Sequence, residues 1–205
     1  MVSKLSVNGV AGFILANGAL SGGGEEYKIR KQLIENDLVE AILVLPMKMF
    51  YTTDISVTLW ILNANKKLRT FEQNNRTKTH RDRTNEILFM DLRKKGVPFE
   101  KKFVQFDDET LEQVSSTYHI WQSDKEDYWD IAEYCKSATI EEVIAKDYSL
   151  VPSKYIEFVN RDENIDFDTK MQTLQGEFTE LLKEEEESKH ELLTVFKELG
   201  YEIKL

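Results

Sequence analysis

The sequence lacks several features that mark whole classes of protein. It has one cysteine, Cys135, and three scattered histidines, so it offers neither an internal disulfide nor a zinc cluster. No apolar run approaches the roughly 18 to 20 residues that cross a bilayer, and the amino terminus does not resemble a signal peptide. These absences predict a cytoplasmic protein with no metal centre and no membrane span.

Proline is also scarce, and its positions are informative. The three proline steps are Leu45-Pro46, Val97-Pro98 and Val151-Pro152. No Asn-Pro or Asp-Pro step exists, and no phosphate-binding glycine motif of the P-loop or dinucleotide type is present. The triple glycine Gly22 to Gly24 is therefore interpreted as a plain turn from strand to helix, with contact to a ligand as the alternative.

Charge is distributed unevenly along the chain. The net charge of -10 argues weakly against a protein whose whole surface contacts DNA. Between Lys66 and Lys102, however, twelve Lys and Arg stand against five Asp and Glu, whereas Val151 to Leu205 has seven against fourteen. The middle of the chain is therefore basic and its tail acidic.

Apolar periodicity predicts an α/β fold for the first part of the chain. Short apolar runs indicate strands at 9–15, 38–45 and 55–62, and a helix with a charged outer face is expected at 25–35. The first run is expected to be buried on both faces. The first two strands are far enough apart for a parallel crossover, and the third, which follows only a loop, can pair antiparallel with the second.

The rest of the chain is expected to contain a basic loop and then mostly helices. Residues 63–85 have almost no apolar content, which predicts a mobile loop or an extended excursion on the surface. The further elements are expected as a strand at 86–91 and helices at 107–118, 128–135 and 139–146. The last of these helices begins with the capping-box pattern Thr139-x-x-Glu142.

A long amphipathic helix is predicted at the carboxyl end, over 168–199. Its apolar residues follow alternating steps of three and four, which is the spacing of a helical seam. These residues are Met171, Leu174, Phe178, Leu181, Leu192, Val195 and Leu199. The same register places Glu185 and Ser188 on the seam, so the helix either breaks there into a hairpin or turns those residues toward water.

Three phrases resemble the modification subunits of type I restriction-modification systems, which are adenine-specific DNA methyltransferases. The phrases are NGVAGFILANGAL, EEYKIRKQLIENDLVEAILVLPMKMFYTTDISVTLWIL and KDYSLVPSKYIEF. The resemblance implies the last strands of a doubly wound methyltransferase sheet, followed by a mainly helical carboxyl-terminal region. The chain is accordingly divided into 1–106 with the basic loop at 63–85, a helical packing region at 107–160, and a docking arm at 161–205.

The resemblance also implies what this chain omits. The family binds S-adenosylmethionine at an acidic, glycine-rich turn and positions adenine with Asn-Pro-Pro followed by Phe or Tyr, and neither motif occurs here. No catalytic or cofactor-binding residue is assigned, and the chain is expected to be inactive alone. Phe50 is the candidate for the target-base pocket, because the resemblance places its loop near the flipped adenine. Alternatively, Phe50 and Tyr51 close the core beneath the loop.

The remaining candidate sites concern DNA and partner proteins. Arg76, Lys78, Arg81 and Arg83 are candidates for contact with the DNA backbone, unless the basic loop is merely solvated. The family docks helices near this end on its specificity subunit and also assembles with a restriction subunit. The long helix is therefore a docking candidate, with folding back onto its own domain as the alternative. An uncovered edge of the first strand and the apolar seam both predict a homo-oligomer.

Two other functions are compatible with the sequence. The chain could be an autonomous helical interaction module from an interrupted gene. It could also be a different doubly wound enzyme whose active site carries no recognisable motif. The DNA upstream of Met1 discriminates between the fragment and the module, because a fragment should be preceded by the two missing motifs.

Overall fold

The computed structural model describes residues 2–73, 75–159 and 166–200, without the side chains of Gln73 and Arg76. The chain divides into two units, Met1–Val159 and Asn160–Leu205. The first unit is a mixed α/β domain, and the second contains one long helix. The expected start of the docking arm at 161 falls within 160–165, which lie outside the described residues.

The first unit is built around a five-stranded sheet in the order β1-β3-β2-β6-β9, with two separate hairpins, β4-β5 and β7-β8. The strands are β1 (Val10–Ala16), β2 (Val39–Val44), β3 (Val57–Asn63), β4 (Arg69–Gln73), β5 (Arg76–His80), β6 (Glu86–Asp91), β7 (Val97–Phe99), β8 (Phe103–Gln105) and β9 (Cys135–Thr139). The helices are α1 (Gly24–Glu35), α2 (Asp108–Gln122), α3 (Ile140–Ala145) and α4 (Phe167–Glu198).

The central strands are apolar on both faces because both faces are covered. Ile42 of β2 and Phe89 of β6 face one apolar cluster, to which α1 and α3 contribute. Leu43 and Met90, which follow Ile42 and Phe89, belong to the second cluster together with Trp121 of α2. Alternating side chains of one strand thus enter opposite layers, as the continuous apolar runs predict.

The observed strand order confirms one expectation about the sheet and corrects another. β3 pairs antiparallel with β2, as expected. However, β3 also pairs with β1 and therefore lies between β1 and β2. β1 is an edge strand, and Val10 and Ile14 are 52% and 46% exposed. The expectation that the first strand is buried on both faces was wrong, because an edge strand has covering residues on fewer sides.

Two regions contain strands that were not predicted, although the hairpin in the basic segment agrees with the extended excursion expected there. The basic segment forms the β4-β5 hairpin, in which Arg69 pairs with His80 and Gln73 with Arg76. Residues 128–135, expected to be a helix, form turns that lead into β9. The predicted helix was wrong because Cys135 pairs with Met90, so β9 extends the sheet beyond β6. The β7-β8 hairpin was not predicted.

Several local predictions were confirmed. β6 and α2 lie where the apolar pattern placed them. α3 begins with a complete capping box, in which the Thr139 side chain accepts from the Glu142 amide and the Glu142 carboxylate accepts from the Thr139 amide. α4 continues through Glu184–Glu187 without a break.

Among the described residues, no helix is long and apolar enough to span a bilayer.

Candidate functional site

Three segments of the first unit meet at one edge of the sheet. β1 and β2 both run antiparallel to β3, and β2 runs parallel to β6, so the carboxyl ends of β1, β2 and β6 lie on the same side. The turn 17–23, the loop 45–56 and the segment 92–107 follow these ends. Doubly wound sheets bind their ligands at this edge, called here the carboxyl edge, which makes it the candidate site.

The loop 45–56 and the β7-β8 hairpin contact each other at the carboxyl edge. The amide of Val104 donates to the carbonyl oxygen of Lys48 at 3.0 Å. The rings of Tyr51 and Phe103 meet edge to face, with centroids 4.7 Å apart. The cleft between loop and hairpin is lined by Lys48, Tyr51, Thr52, Thr53, Asp54, Lys102 and Phe103. Residues some fifty positions apart in the chain thus form one surface.

The two aromatic residues of the loop have different environments. Phe50 is half-buried and packs against the apolar cluster beneath the loop. Tyr51 is 73% exposed. Phe50 therefore packs on the core, which was the alternative left open for both rings, whereas the ring of Tyr51 is exposed to solvent and contacts Phe103. Lys101-Lys102-Phe103, a basic and aromatic step between two short strands, was the signal in the sequence that could have identified the second ring.

The cleft carries more positive than negative charge. Lys48 and Lys102 stand against Asp54, and all three residues are exposed. Two cations beside an exposed aromatic ring suit a phosphate and a base of a nucleic acid better than a neutral metabolite. Asp54 limits the net charge, so the cleft alone would bind a polyanion weakly.

The triple-glycine turn at the same edge is held from inside the protein. Arg30 is only 3% exposed, and its guanidinium donates to the carbonyl oxygens of Ala19 at 3.0 Å and Gly22 at 2.9 Å. Gly24 has φ of 64°, a conformation that favours glycine. These contacts support the interpretation of a structural turn, because a side chain of α1 binds two of its carbonyl oxygens.

The predicted DNA-backbone residues lie at the opposite edge. β4 and β5 follow the end of β3 and precede β6, so the hairpin adjoins the amino ends of β2 and β6. Lys78 is exposed, and the side chain of Arg76 lies outside the described part. Arg81 donates to the Trp121 carbonyl at 2.8 Å and to both Glu86 carboxylate oxygens at 2.9 and 2.6 Å. Among the candidates whose side chains the structure describes, Lys78 is the one that is exposed to solvent.

Arg83 is a correction to that set, because its side chain is fully buried. Its Nε and Nη2 lie 3.3 Å from Oε1 of Glu40, which is equally buried, and its Nη1 donates to the Arg81 carbonyl at 2.7 Å. Gln122 donates to the same Glu40 oxygen at 2.8 Å. Burial lowers the pKa of Arg83, while Glu40 opposes that shift. A guanidinium held in this way cannot reach a phosphate.

A second buried cation fixes the other end of the hairpin. Lys66 pairs with Asp37, and its Nζ donates to the carbonyl oxygens of Glu86 at 2.7 Å and Val39 at 3.1 Å. Burial lowers the pKa of Lys66, and the Asp37 pair acts in the other direction. Part of the basic charge counted in the sequence is therefore structural and unavailable to a ligand.

His80 at the end of β5 is also shielded. Its Nδ1 is buried and has no hydrogen-bond partner among the described residues, and its ring meets that of Phe71 with centroids 4.8 Å apart. Burial, followed by the charges of Arg83 and Arg69, lowers the pKa of His80 to about 4. His80 is therefore neutral at physiological pH and adds no charge to the hairpin.

The second unit presents the predicted apolar seam. α4 spans 32 residues, and none of its residues is buried. The seven seam residues are between 39% and 66% exposed. The aspartate before the helix, Asp166, accepts from the Thr169 amide at 3.3 Å and caps its amino end. Such a helix has its own start signal but no packing partner among the described residues of its unit.

No group of three or more His, Cys, Asp and Glu within the described ranges could hold a metal ion.

Comparison with known proteins gives consistent matches. Residues 1–164 match the family model for N-6 DNA methylase. The chain is 36% identical to the type I restriction enzyme HindI methylase subunit of Haemophilus influenzae over 98% of its own length and 42% of that subunit. It is 30% identical to the MjaIX methylase subunit of Methanocaldococcus jannaschii, over 95% of this chain and 33% of that one.

Solved structures show the same fold. The type I restriction-modification methyltransferase subunit from Streptococcus thermophilus superposes with a TM-score of 0.59 at 24% identity, over 74% of this chain and 27% of that one. The EcoKI M protein superposes with a TM-score of 0.56 at 15% identity, over 93% and 42%. The chain therefore spans less than half the length of each of these four proteins.

Proposed function

This chain belongs to the N-6 DNA methylase family, and we propose that it acts as the carboxyl-terminal part of a type I modification subunit, in the cytoplasm. The proposal depends on how much of each chain the alignments with the relatives cover. Two methylase subunits match 98% and 95% of this chain, while the chain covers only 42% and 33% of them. The family reaction transfers a methyl group from S-adenosylmethionine to adenine N6 in DNA, and this chain supplies part of the enzyme that performs it.

The chain is proposed to be inactive alone. It contains no Asn-Pro step, so the cluster that accepts the adenine amino group has no counterpart in it. The turn at Gly22 is bound by the chain itself, since Arg30 donates to the carbonyl oxygens of Ala19 and Gly22. S-adenosylmethionine is therefore proposed to bind the part of the intact subunit outside this chain.

The carboxyl edge is proposed to face DNA. Tyr51 and Phe103 offer aromatic surface to a base that has left the stack, and Lys48 and Lys102 can contact its flanking phosphates. Phe50, the candidate chosen from the sequence, is proposed to support the loop from below, since it packs on the core.

The β4-β5 hairpin is proposed to make a separate, sequence-independent contact with phosphates. Arg76 and Lys78 remain the candidates, and Arg81 contributes only if it leaves Glu86. The hairpin and the carboxyl edge lie at opposite ends of the strands.

α4 is proposed to dock on the specificity subunit of a type I system. The specificity subunit is proposed to recognise the DNA site and to join this chain to the restriction subunit. An exposed apolar seam on an isolated helix is the surface that such a contact requires. The interaction-module alternative shares this feature, because the helix belongs to a unit of its own. It differs in predicting docking without any contribution to methylation.

A chimera tests the proposal. This chain would replace the matching 208 residues of the Haemophilus influenzae subunit, expressed with that system's own specificity subunit. We expect adenine methylation by the chimera and none by the chain alone. Tyr51→Ala should lower kcat/KM by about 10- to 100-fold, since stacking on one aromatic ring contributes roughly 1 to 3 kcal/mol. Tyr51→Phe should retain activity, and Ile55→Ala on the same loop is the matched control.

The outcomes separate the two functions. A folded chimera without methylation, or full activity of Tyr51→Ala, contradicts the proposed role of the carboxyl edge. A chimera that binds the specificity subunit but does not methylate favours the interaction module. Methyl transfer by the chain alone, above an empty-vector control, contradicts its proposed inactivity.

A further inference from the structure

The flanks of the α4 seam differ in chemistry. Written as heptads with Met171 at position a, the seam occupies positions a and d. Every g position from the first full heptad onward is a glutamate, and all four are exposed. These residues are Glu177, Glu184, Glu191 and Glu198. One side of the seam is therefore a row of carboxylates repeated every seven residues.

The other flank has no acidic residue, and two of its four e positions are apolar, the others being Gln175 and Lys189. Its e positions include Leu182, which is 48% exposed, and Phe196, which is half-buried, with Lys189 between them. The apolar stripe is thus wider on this side and ends abruptly on the glutamate side. Over the whole helix, nine Asp and Glu stand against four Lys, a net charge of -5.

The centre of the seam is acidic as well. Glu185 and Ser188 occupy the a and d positions there, between the apolar blocks 171–181 and 192–199. Because α4 is continuous across this region, the partner of the seam must accommodate Glu185 within the contact. A carboxylate in such a layer favours an oppositely charged neighbour, and it fixes the register of the two helices.

Self-pairing of α4 is disfavoured by these charges. In an antiparallel pair the g positions of the two helices face each other, so the glutamate rows would repel. In a parallel pair in register, one Glu184–Lys189 contact forms, but Glu185 lies against Glu185 inside the seam. Both arrangements place like charges together, so the seam, unlike the edge of β1, does not suit a homo-oligomer.

We propose that α4 docks on a helix of another protein that carries an apolar seam, Lys or Arg at seven-residue spacing facing Glu177, Glu184 and Glu191, and a basic residue facing Glu185. The proposal rests on the proposed docking function and specifies its partner's chemistry. The apolar blocks supply the contact area, and the acidic row selects the partner and its register.

Two designed peptides and the 205-residue chain test the proposal. Both peptides are helical and carry leucine at a and d; one has lysine at the flanking positions and opposite Glu185, and the other has glutamate there. Fluorescence anisotropy measures the binding of each. We expect the basic peptide to bind at least tenfold more tightly, with a preference that declines as salt rises.

Matched variants of α4 isolate the position of the charges. Glu177, Glu184 and Glu191 are changed to Gln in one variant, and Glu180, Glu186 and Glu187, which lie away from the seam flanks, in the other. Both variants lose three negative charges. We expect about tenfold weaker binding of the basic peptide for the first variant, because each exposed ion pair contributes about a factor of two, and less than a twofold change for the second.

Four results overturn the proposal. The two peptides could bind equally well, the two variants could weaken binding equally, or sedimentation could show that the chain dimerises through α4, a state that Leu174→Lys would disrupt. Equal binding of both peptides removes the charge selection while leaving helix docking intact. Binding of neither peptide, with helicity verified by circular dichroism, removes both and favours a seam that folds back on its own chain.

Discussion

The buried Glu40–Arg83 pair should be among the most sensitive sites of the first unit. Both side chains are fully buried, and Glu40 Oε1 accepts from Arg83 and Gln122. The pair joins β2 to the end of the β4-β5 hairpin and to α2. Changing Arg83 to Met removes the cation and leaves the Glu40 carboxylate buried beside the uncharged side chains of Gln122 and Tyr118.

The expected cost follows from that burial. Breaking a buried ion pair by removing one partner costs about 3 to 5 kcal/mol, because the remaining charge is uncompensated. In a domain of this size each kcal/mol lowers Tm by about 2 to 4 °C, so Arg83→Met should lower it by roughly 6 to 20 °C. Replacing both partners, Glu40→Leu with Arg83→Met, should cost less than about 2 kcal/mol, since no buried charge is left.

Thermal unfolding followed by tryptophan fluorescence measures this effect in the relevant unit. The ring centroid of Trp121 lies 5.3 Å from the guanidinium carbon of Arg81 and 5.6 Å from that of Arg83, so Trp121 fluorescence reports on this network. Lys78→Met on the same hairpin is the control, and as an exposed substitution it should change stability by less than about 0.5 kcal/mol. Conversely, Lys78→Met should weaken DNA binding by the folded chain, whereas Arg83→Met should not.

Three results would refute this reasoning. A shift in Tm below about 2 °C for Arg83→Met would mean that the buried charge finds other partners or water. Additive losses in the double variant would mean that Glu40 and Arg83 act independently, because a coupled pair shows a large interaction energy in a double-mutant cycle. A loss of DNA affinity in folded Arg83→Met protein would return this residue to the DNA-contact set.

Two further predictions concern pH and assembly. The pKa of His80 is about 4 in the folded chain and about 6.5 in the unfolded chain. Because the unfolded state binds more protons between these values, stability should fall as the pH drops from 6.5 to 4. The variant His80→Gln should show a smaller decline in Tm over that window, and an unchanged decline would contradict the assignment. Among the described strands, β1 pairs only with β3, so we expect the chain to self-associate through the unpaired edge of β1. Light scattering should show less self-association for Ile14→Lys. A stable 24.0 kDa monomer at micromolar concentration would exclude this association.

Features that depend on neighbours in the chain could be predicted from the sequence. The capping box of α3 needs only Thr139 and Glu142, three residues apart. The apolar runs of β2, β3 and β6 indicated strands because their residue types suit a covered sheet, and the steps of three and four residues indicated α4. The family resemblance, carried by continuous phrases, agrees with the family model over residues 1–164.

Features that depend on distant partners could not be predicted. Residues 128–135 resemble a short helix locally, but pairing of β9 with β6 decides their structure, and that pairing joins residues almost fifty positions apart. The order of β1, β3 and β2 likewise depends on which edge each strand finds after folding, a choice that apolar composition does not encode.

The sequence by itself determined the positions of α1 to α4 and of β1, β2, β3 and β6, the family that the chain resembles, and where charge is concentrated. Only the tertiary structure decided what that charge is available for. Arg83 and Lys66 belong to the basic segment, yet Glu40 and Asp37, which precede them by some 30 to 40 residues, hold both inside the protein. Tyr51 and Phe103 become one surface for the same reason: solvent exposure and contact are set by chain segments that folding brings together.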